Sequence, residues 1–157
     1  MWDAALLLGP LYHLTDGDDR IQALREAGRV VRTGGVVVAV AISRFASLLD
    51  GLKYGLLAEP AFEVIVRRDL RDGQHRNPEP VERPEWFTTA FFHHPDELAE
   101  EVAAAGLRLE ALLGIEGPGW LFPSAPQELT LLAARAVEAE PALRAVSAHL
   151  LAVARKL

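Results

Sequence analysis

The sequence has no cysteine among its 157 residues, which excludes disulfide scaffolds, thiolate zinc sites and a cysteine nucleophile. Basic residues are in the minority. Sixteen Lys and Arg against 22 Asp and Glu give a formal charge of −6, so no overall positive field exists to hold a nucleic acid. Long apolar runs are missing as well: Ala4–Leu8 and Val36–Ile42 are far short of the roughly 20 residues a membrane helix needs. The opening Met1-Trp2-Asp3 puts an acid where a secretory leader carries basic residues. No nucleic-acid partner and no membrane are expected, and the expected location is cytoplasmic.

Several chemistry-bearing motifs are also absent. Gly34-Gly35 has no dinucleotide or Walker continuation, and no Gly-x-Ser-x-Gly elbow occurs. Asp16-Gly17-Asp18-Asp19 lacks the further ligands of a calcium loop and reads as helix-capping acid. His93 and His94 are adjacent, so in a strand they point to opposite faces and share no metal. No metal site is expected.

What is present is the composition of one compact domain: half the residues are hydrophobic and 24% are charged, with 12 Gly and 10 Pro. Ala4–Leu8, stopped by Gly9-Pro10, and the β-branched run Val36–Ile42 do not alternate with polar residues. Such runs suit strands of a parallel sheet covered on both faces. Between them Thr15-Asp16 offers a helix cap, and Ile21, Leu24, Gly28 and Val31 recur at helical spacing, completing one βαβ unit. Ala46–Ala58 and Pro60–Arg71 then read as helices, and Gly73–Pro84 as an irregular loop. Insertions placed after a strand's carboxyl end cover a ligand crevice or are plain surface excursions. Pro95-Asp96-Glu97 starts another helix, which ends at Gly106. Leu107–Leu113 reads as a strand, Gln127–Ala139 as a helix and His149–Ala154 as a last short strand.

The turn Leu8-Gly9-Pro10-Leu11-Tyr12-His13 sits at the first strand's carboxyl end, where open α/β sheets place ligands. Gly9 permits close backbone approach, Pro10 fixes the turn, and Tyr12 and His13 supply polar atoms. His13 can act as a general base or remain a simple hydrogen-bonding group. Gly117-Pro118-Gly119-Trp120-Leu121-Phe122-Pro123 reads equally as a pocket wall or a packed loop.

The order of Trp2–Leu14, Ala27–Gly35 with its following strand, Phe91–Leu98 through Gly106-Leu107, and His149–Arg155 resembles the Rossmann-like S-adenosylmethionine-dependent methyltransferases. The resemblance spans essentially the whole chain. It departs in one respect, because the family's first three strands, its Gly-rich loop and its ribose-holding acid have no counterpart here, so the chain resembles the family's carboxyl-terminal half. The resemblance implies an α/β fold: a partial Rossmann-like methyltransferase sheet of the last four strands, mostly parallel with an antiparallel final strand. Helices and a helical lid insertion at about residues 46–85 complete a single, incomplete domain over residues 1–157.

By the same resemblance the expected cofactor is S-adenosylmethionine, lined by the backbone of Leu8, Gly9, Pro10 and Leu11. Tyr12, His13 and Arg44 fall on the substrate side, with His13 the catalytic candidate, and the expected partner is a small-molecule methyl acceptor. The strand Ala4–Leu8 lacks its usual central neighbour in this plan, so an exposed edge and a homodimer formed through it are expected. The alternatives are a non-catalytic remnant or interaction module of the same fold, unable to bind cofactor alone, and an unrelated α/β binding domain.

Overall fold

The computed structural model describes residues 1–157. Strand β1 (Trp2–Leu7) leads through a single helical turn, α1 (Pro10–His13), into helix α2 (Gly17–Val30) and then strand β2 (Val31–Ser43). Asp16 caps α2 as expected: its Oδ1 accepts the Asp18 N–H at 2.8 Å, and Asp18 and Asp19 put negative charge at the helix's positive end. β1 and β2 run parallel, with Leu6 beside Val38 and Leu7 beside Ala39, so α2 is the crossover of a βαβ unit.

On its other edge β2 pairs antiparallel with β6 (His149–Lys156), Val38 lying beside Val153. β6 pairs antiparallel with β5 (Leu107–Gly114). These four strands lie in the order β1-β2-β6-β5, and among them only the last strand of the chain is reversed, as the resemblance implies. Two strands come in addition. β4 (Ala90–His93) pairs parallel with Ile42 and Ser43 alone, beyond the end of β1, and β3 (Gln74–His75) pairs antiparallel with β4, giving six strands in all. The loop expected over Gly73–Pro84 is thus corrected at its start. Gly73 sits at φ +73 and accepts the Phe92 N–H at 2.8 Å, which lays the next two residues alongside β4.

Between β2 and α5 (Pro95–Ala104) lies the insertion: α3 (Ala46–Tyr54), a 3-10 turn at Leu56–Ala58, and α4 (Pro60–Asp72), followed by β3, a loop and β4. α6 (Gln127–Val137) joins β5 to β6 and packs on a 3-10 turn, Gly117–Leu121. No helix is long and apolar enough to cross a membrane.

The core lies on one side of the sheet. Val37, Ala39 and Ala41 of β2 and Leu150, Ala152 and Ala154 of β6 bury against Leu24 and Ala27 of α2 and Leu98 and Val102 of α5. By the period-two alternation of strands, the residues between them face the other way. Register aligns these in rows, Leu6, Val38, Val153 and Ala111 in one, Val40, Leu151 and Leu113 in the next. The β2 and β6 members are only half-buried, and Leu6 is 63% exposed. Coverage of both faces, expected from the unbroken apolar runs, is therefore corrected: α2 and α5 cover one face only.

Candidate functional site

A cavity of about 290 Å³ opens at the carboxyl end of β2, where Ile42 forms part of its wall. This is the crevice position of open α/β sheets. The insertion builds most of the rest: Ala46, Ser47 and Asp50 from α3, Phe62 from α4, His75 from β3, and Trp86 and Phe87 from the loop before β4. Trp120 and His149 close the far side.

A buried polar relay fixes these walls. Ser47 donates its hydroxyl to Asp69, and His75 Nδ1 lies 2.8 Å from the same carboxylate oxygen. His75 Nε2 lies 2.8 Å from the Trp86 carbonyl, so both ring nitrogens face acceptors and the imidazole joins α4 to the following loop. Its ring stacks on Phe92 at 4.6 Å with planes 10° apart. Asn77 donates to the carbonyls of Arg83 at 2.8 Å and Phe87 at 2.7 Å. The second bond secures the only non-glycine residue at positive φ, Phe87 at +67°. A bulky residue held there costs on the order of 1–3 kcal/mol, and such outliers gather at binding sites.

Two polar groups on the cavity wall keep unused capacity. His149 Nδ1 bonds to a Glu116 oxygen, and the His149 backbone N–H donates to the other at 3.0 Å. Burial pushes the Glu116 carboxyl up, but these bonds outweigh it and hold the group below the usual carboxylate range. With Nδ1–H given to Glu116, the Nε2 of a neutral His149 is left as an acceptor with no protein partner. Asp50 makes no hydrogen bond or ion pair; burial pushes its carboxyl above the usual range, and the charge of Lys53 offsets only part of this.

A second polar cluster lies away from the cavity, where α2, α5 and β4 meet. Arg20 pairs with Glu101 at 2.7 Å, and its guanidinium lies 3.5 Å over the Phe91 ring. The other Glu101 oxygen is 3.0 Å from His93 Nε2. Burial pushes the His93 imidazole below its ordinary value against the pull of Glu101. This cluster packs helices and lines no part of the cavity.

The structure divides the residues singled out from sequence. Tyr12 packs against Ile42, Ala46, Ala90 and Phe92, directly behind the cavity. His13 is exposed, makes no hydrogen bond, and has its ring 4.7 Å from that of Tyr12. Arg44 is buried, donating Nε to the Phe92 carbonyl at 2.8 Å and pairing with Glu97, so its guanidinium is spent on β4 and α5. Leu11 is wholly buried in the core, Pro10 opens α1, and Gly9 has an extended φ of 179° that any residue adopts. Sequence reading missed His149, Glu116, Asp50 and the Asp69–His75 relay, whose partners are brought together only by the fold.

The residues assigned to S-adenosylmethionine fit it in part. Leu8, just past the carboxyl end of β1, is 57% exposed and offers apolar surface and backbone.

No protein-family model and no curated protein matches the chain. Solved structures do match. A methyltransferase from Mesorhizobium loti superposes with a TM-score of 0.57 at 14% identity, over 99% of this chain and 62% of that one. A methyltransferase from Methanosarcina mazei gives 0.53 at 13% identity, over 99% and 59%. The CcbJ methyltransferase from Streptomyces caelestis gives 0.50 at 13% identity, over 99% and 61%. The chain thus spans less than two thirds of the length of each. Its strand order and these superpositions agree: the chain carries the Rossmann-like fold of the S-adenosylmethionine-dependent methyltransferases.

Proposed function

We propose that this chain forms the acceptor-binding part of an S-adenosylmethionine-dependent methyltransferase that acts on a small molecule in the cytoplasm. The single observation that carries the reading is the aromatic-walled cavity at the carboxyl end of β2, in the crevice next to the β1 turn. Residues 46–85 serve as the lid that selects the acceptor. The cofactor's sulfonium supplies a ready leaving group, so the protein's part is positioning and water exclusion.

The chain's own residues divide that work. The backbone of Leu8–Leu11 borders the cofactor, and Tyr12 supports the wall between the two ligands. His13 was the sequence candidate for taking an acceptor proton. His149 suits the task better, because it lines the cavity, Glu116 fixes its tautomer, and Nε2 is open. Arg44 acts by holding β4 and α5 in place.

Calorimetric titration of the chain with S-adenosylmethionine tests the reading: micromolar binding supports an intact cofactor site. Silence at millimolar cofactor would favour the second reading, an interaction module of the same fold. That module is supported by the uncovered sheet face and the unpaired β1 edge, through which a homodimer would form.

A further inference from the structure

The cavity's polar inventory is lopsided. Its lining includes two carboxylates, Asp50 and Glu85, and no Lys or Arg. Glu85 is already engaged, its oxygen 2.6 Å from Arg83 Nε. Ser47 and His75 are both committed to Asp69. Lys53, the cation near Asp50, makes no ion pair with it: its Nζ sits 4.7 Å from the Tyr54 ring centroid and 5.4 Å from that of Trp120 on the cavity wall. Asp50 therefore makes no hydrogen bond or ion pair, half-buried in a wall that also carries Phe62, Trp86, Phe87, Phe92 and Trp120, with the Arg83 guanidinium lying 4.1 Å over the Trp86 ring. Both features attract the same chemistry, because a buried carboxylate calls for a counter-ion and aromatic faces attract cations. An anionic ligand would meet negative charge that Lys53 offsets only in part, and a neutral one would leave Asp50 without a bonding partner.

We propose that the cavity binds a small ammonium compound with a flat apolar body, its charged nitrogen on Asp50 and its body among Trp86, Phe87, Phe92 and Trp120. The volume of about 290 Å³ lies at the lower end of small-molecule sites, which run from roughly 300 Å³ upward, and so limits the ligand to about one ring system with a short side chain. The inference rests on reading this cavity as the acceptor's site, and it names the acceptor's class.

The test is calorimetry on the full chain with three probes of one shape: phenethylamine, 2-phenylethanol and 3-phenylpropionate. The amine should bind about tenfold tighter than the alcohol, equivalent to ~1.4 kcal/mol, and the carboxylate should bind weakest. In Asp50→Asn, checked for an unchanged thermal melt, the amine and alcohol should come within about twofold of each other, the ion pair being the difference between them. Equal binding of amine and alcohol by the natural chain, tightest binding by the carboxylate, or no binding of any probe overturns the inference. So does an amine preference that survives Asp50→Asn. Cofactor titration separates the two ideas: cofactor binding without amine preference removes this inference alone, whereas amine preference without cofactor binding removes only the methyltransferase reading.

Discussion

The two faces of the sheet carry different side chains and meet different surroundings. Toward α2 and α5 stand Val37, Ala39, Ala41, Leu150, Ala152 and Ala154, mostly small groups that let the helices approach closely and bury completely. Away from the helices stand Val36, Val38, Val40, Leu151 and Val153, bulkier and only half-buried, continued by exposed Leu6 on β1. The face with more apolar bulk is the one left open. Side-chain size on a strand therefore reflects how near the covering layer comes, and an apolar pattern alone does not say that a cover is present.

The largest effect should come from the covered side. Glu101→Ala strands Arg20 and His93 in the interior and should cost about 3–5 kcal/mol in urea unfolding. Acid should weaken the same cluster. His93 is held below its ordinary 6.5, so the folded chain binds fewer protons there than the unfolded one; its contribution is complete above pH 6.5 and declines as pH falls through the folded value. Glu101 is also held below its ordinary 4.5, despite the opposing push of burial, because His93 and Arg20 bond to it. Its contribution is lost below pH 4.5. Melting temperature should therefore fall on acidification, and the fall below pH 4.5 should be shallower in Glu101→Ala.

A direct contrast of the two faces comes next. Leu98→Ala, at a position with no exposure, should cost about 2–5 kcal/mol. Val38→Ala, on the open face, should cost under about 1 kcal/mol. Equal losses would break the comparison and mean that the open face is covered in solution. The smallest effect on stability is expected for Leu6→Lys, within about 0.5 kcal/mol, although it should abolish a concentration-dependent dimer in sedimentation velocity. A natural chain that stays monomeric at every concentration would remove the edge-paired dimer.

Most of the framework was legible because its signals are local. Asp16 announces α2, Pro95-Asp96-Glu97 announces α5, and unbroken apolar runs mark β1 and β2. The site was legible only in outline: an insertion at the right strand end, with Tyr12 nearby. Its working polar groups depend on distant pairs, Ser47 with Asp69, Glu116 with His149, and Arg44 with Glu97. No spacing rule connects such partners. Arg44 shows the cost of this, since a cation just past a strand end reads as ligand-facing until its two acceptors, the Phe92 carbonyl and Glu97, are known. β3 escaped for a different reason, being two residues long with a pairing set by the Gly73 carbonyl.

That glycine decides how the pocket can be entered. A side chain at Gly73 would put its Cβ 2.4 Å from the Phe92 carbonyl and 2.8 Å from Arg44, so the end of α4 is seated flush against the sheet. The root of the insertion is thus held to the sheet there and, through His75, to Asp69 and the Trp86 carbonyl. The width of the mouth is then a property of the side chains that line it, which limits the girth of what can be admitted.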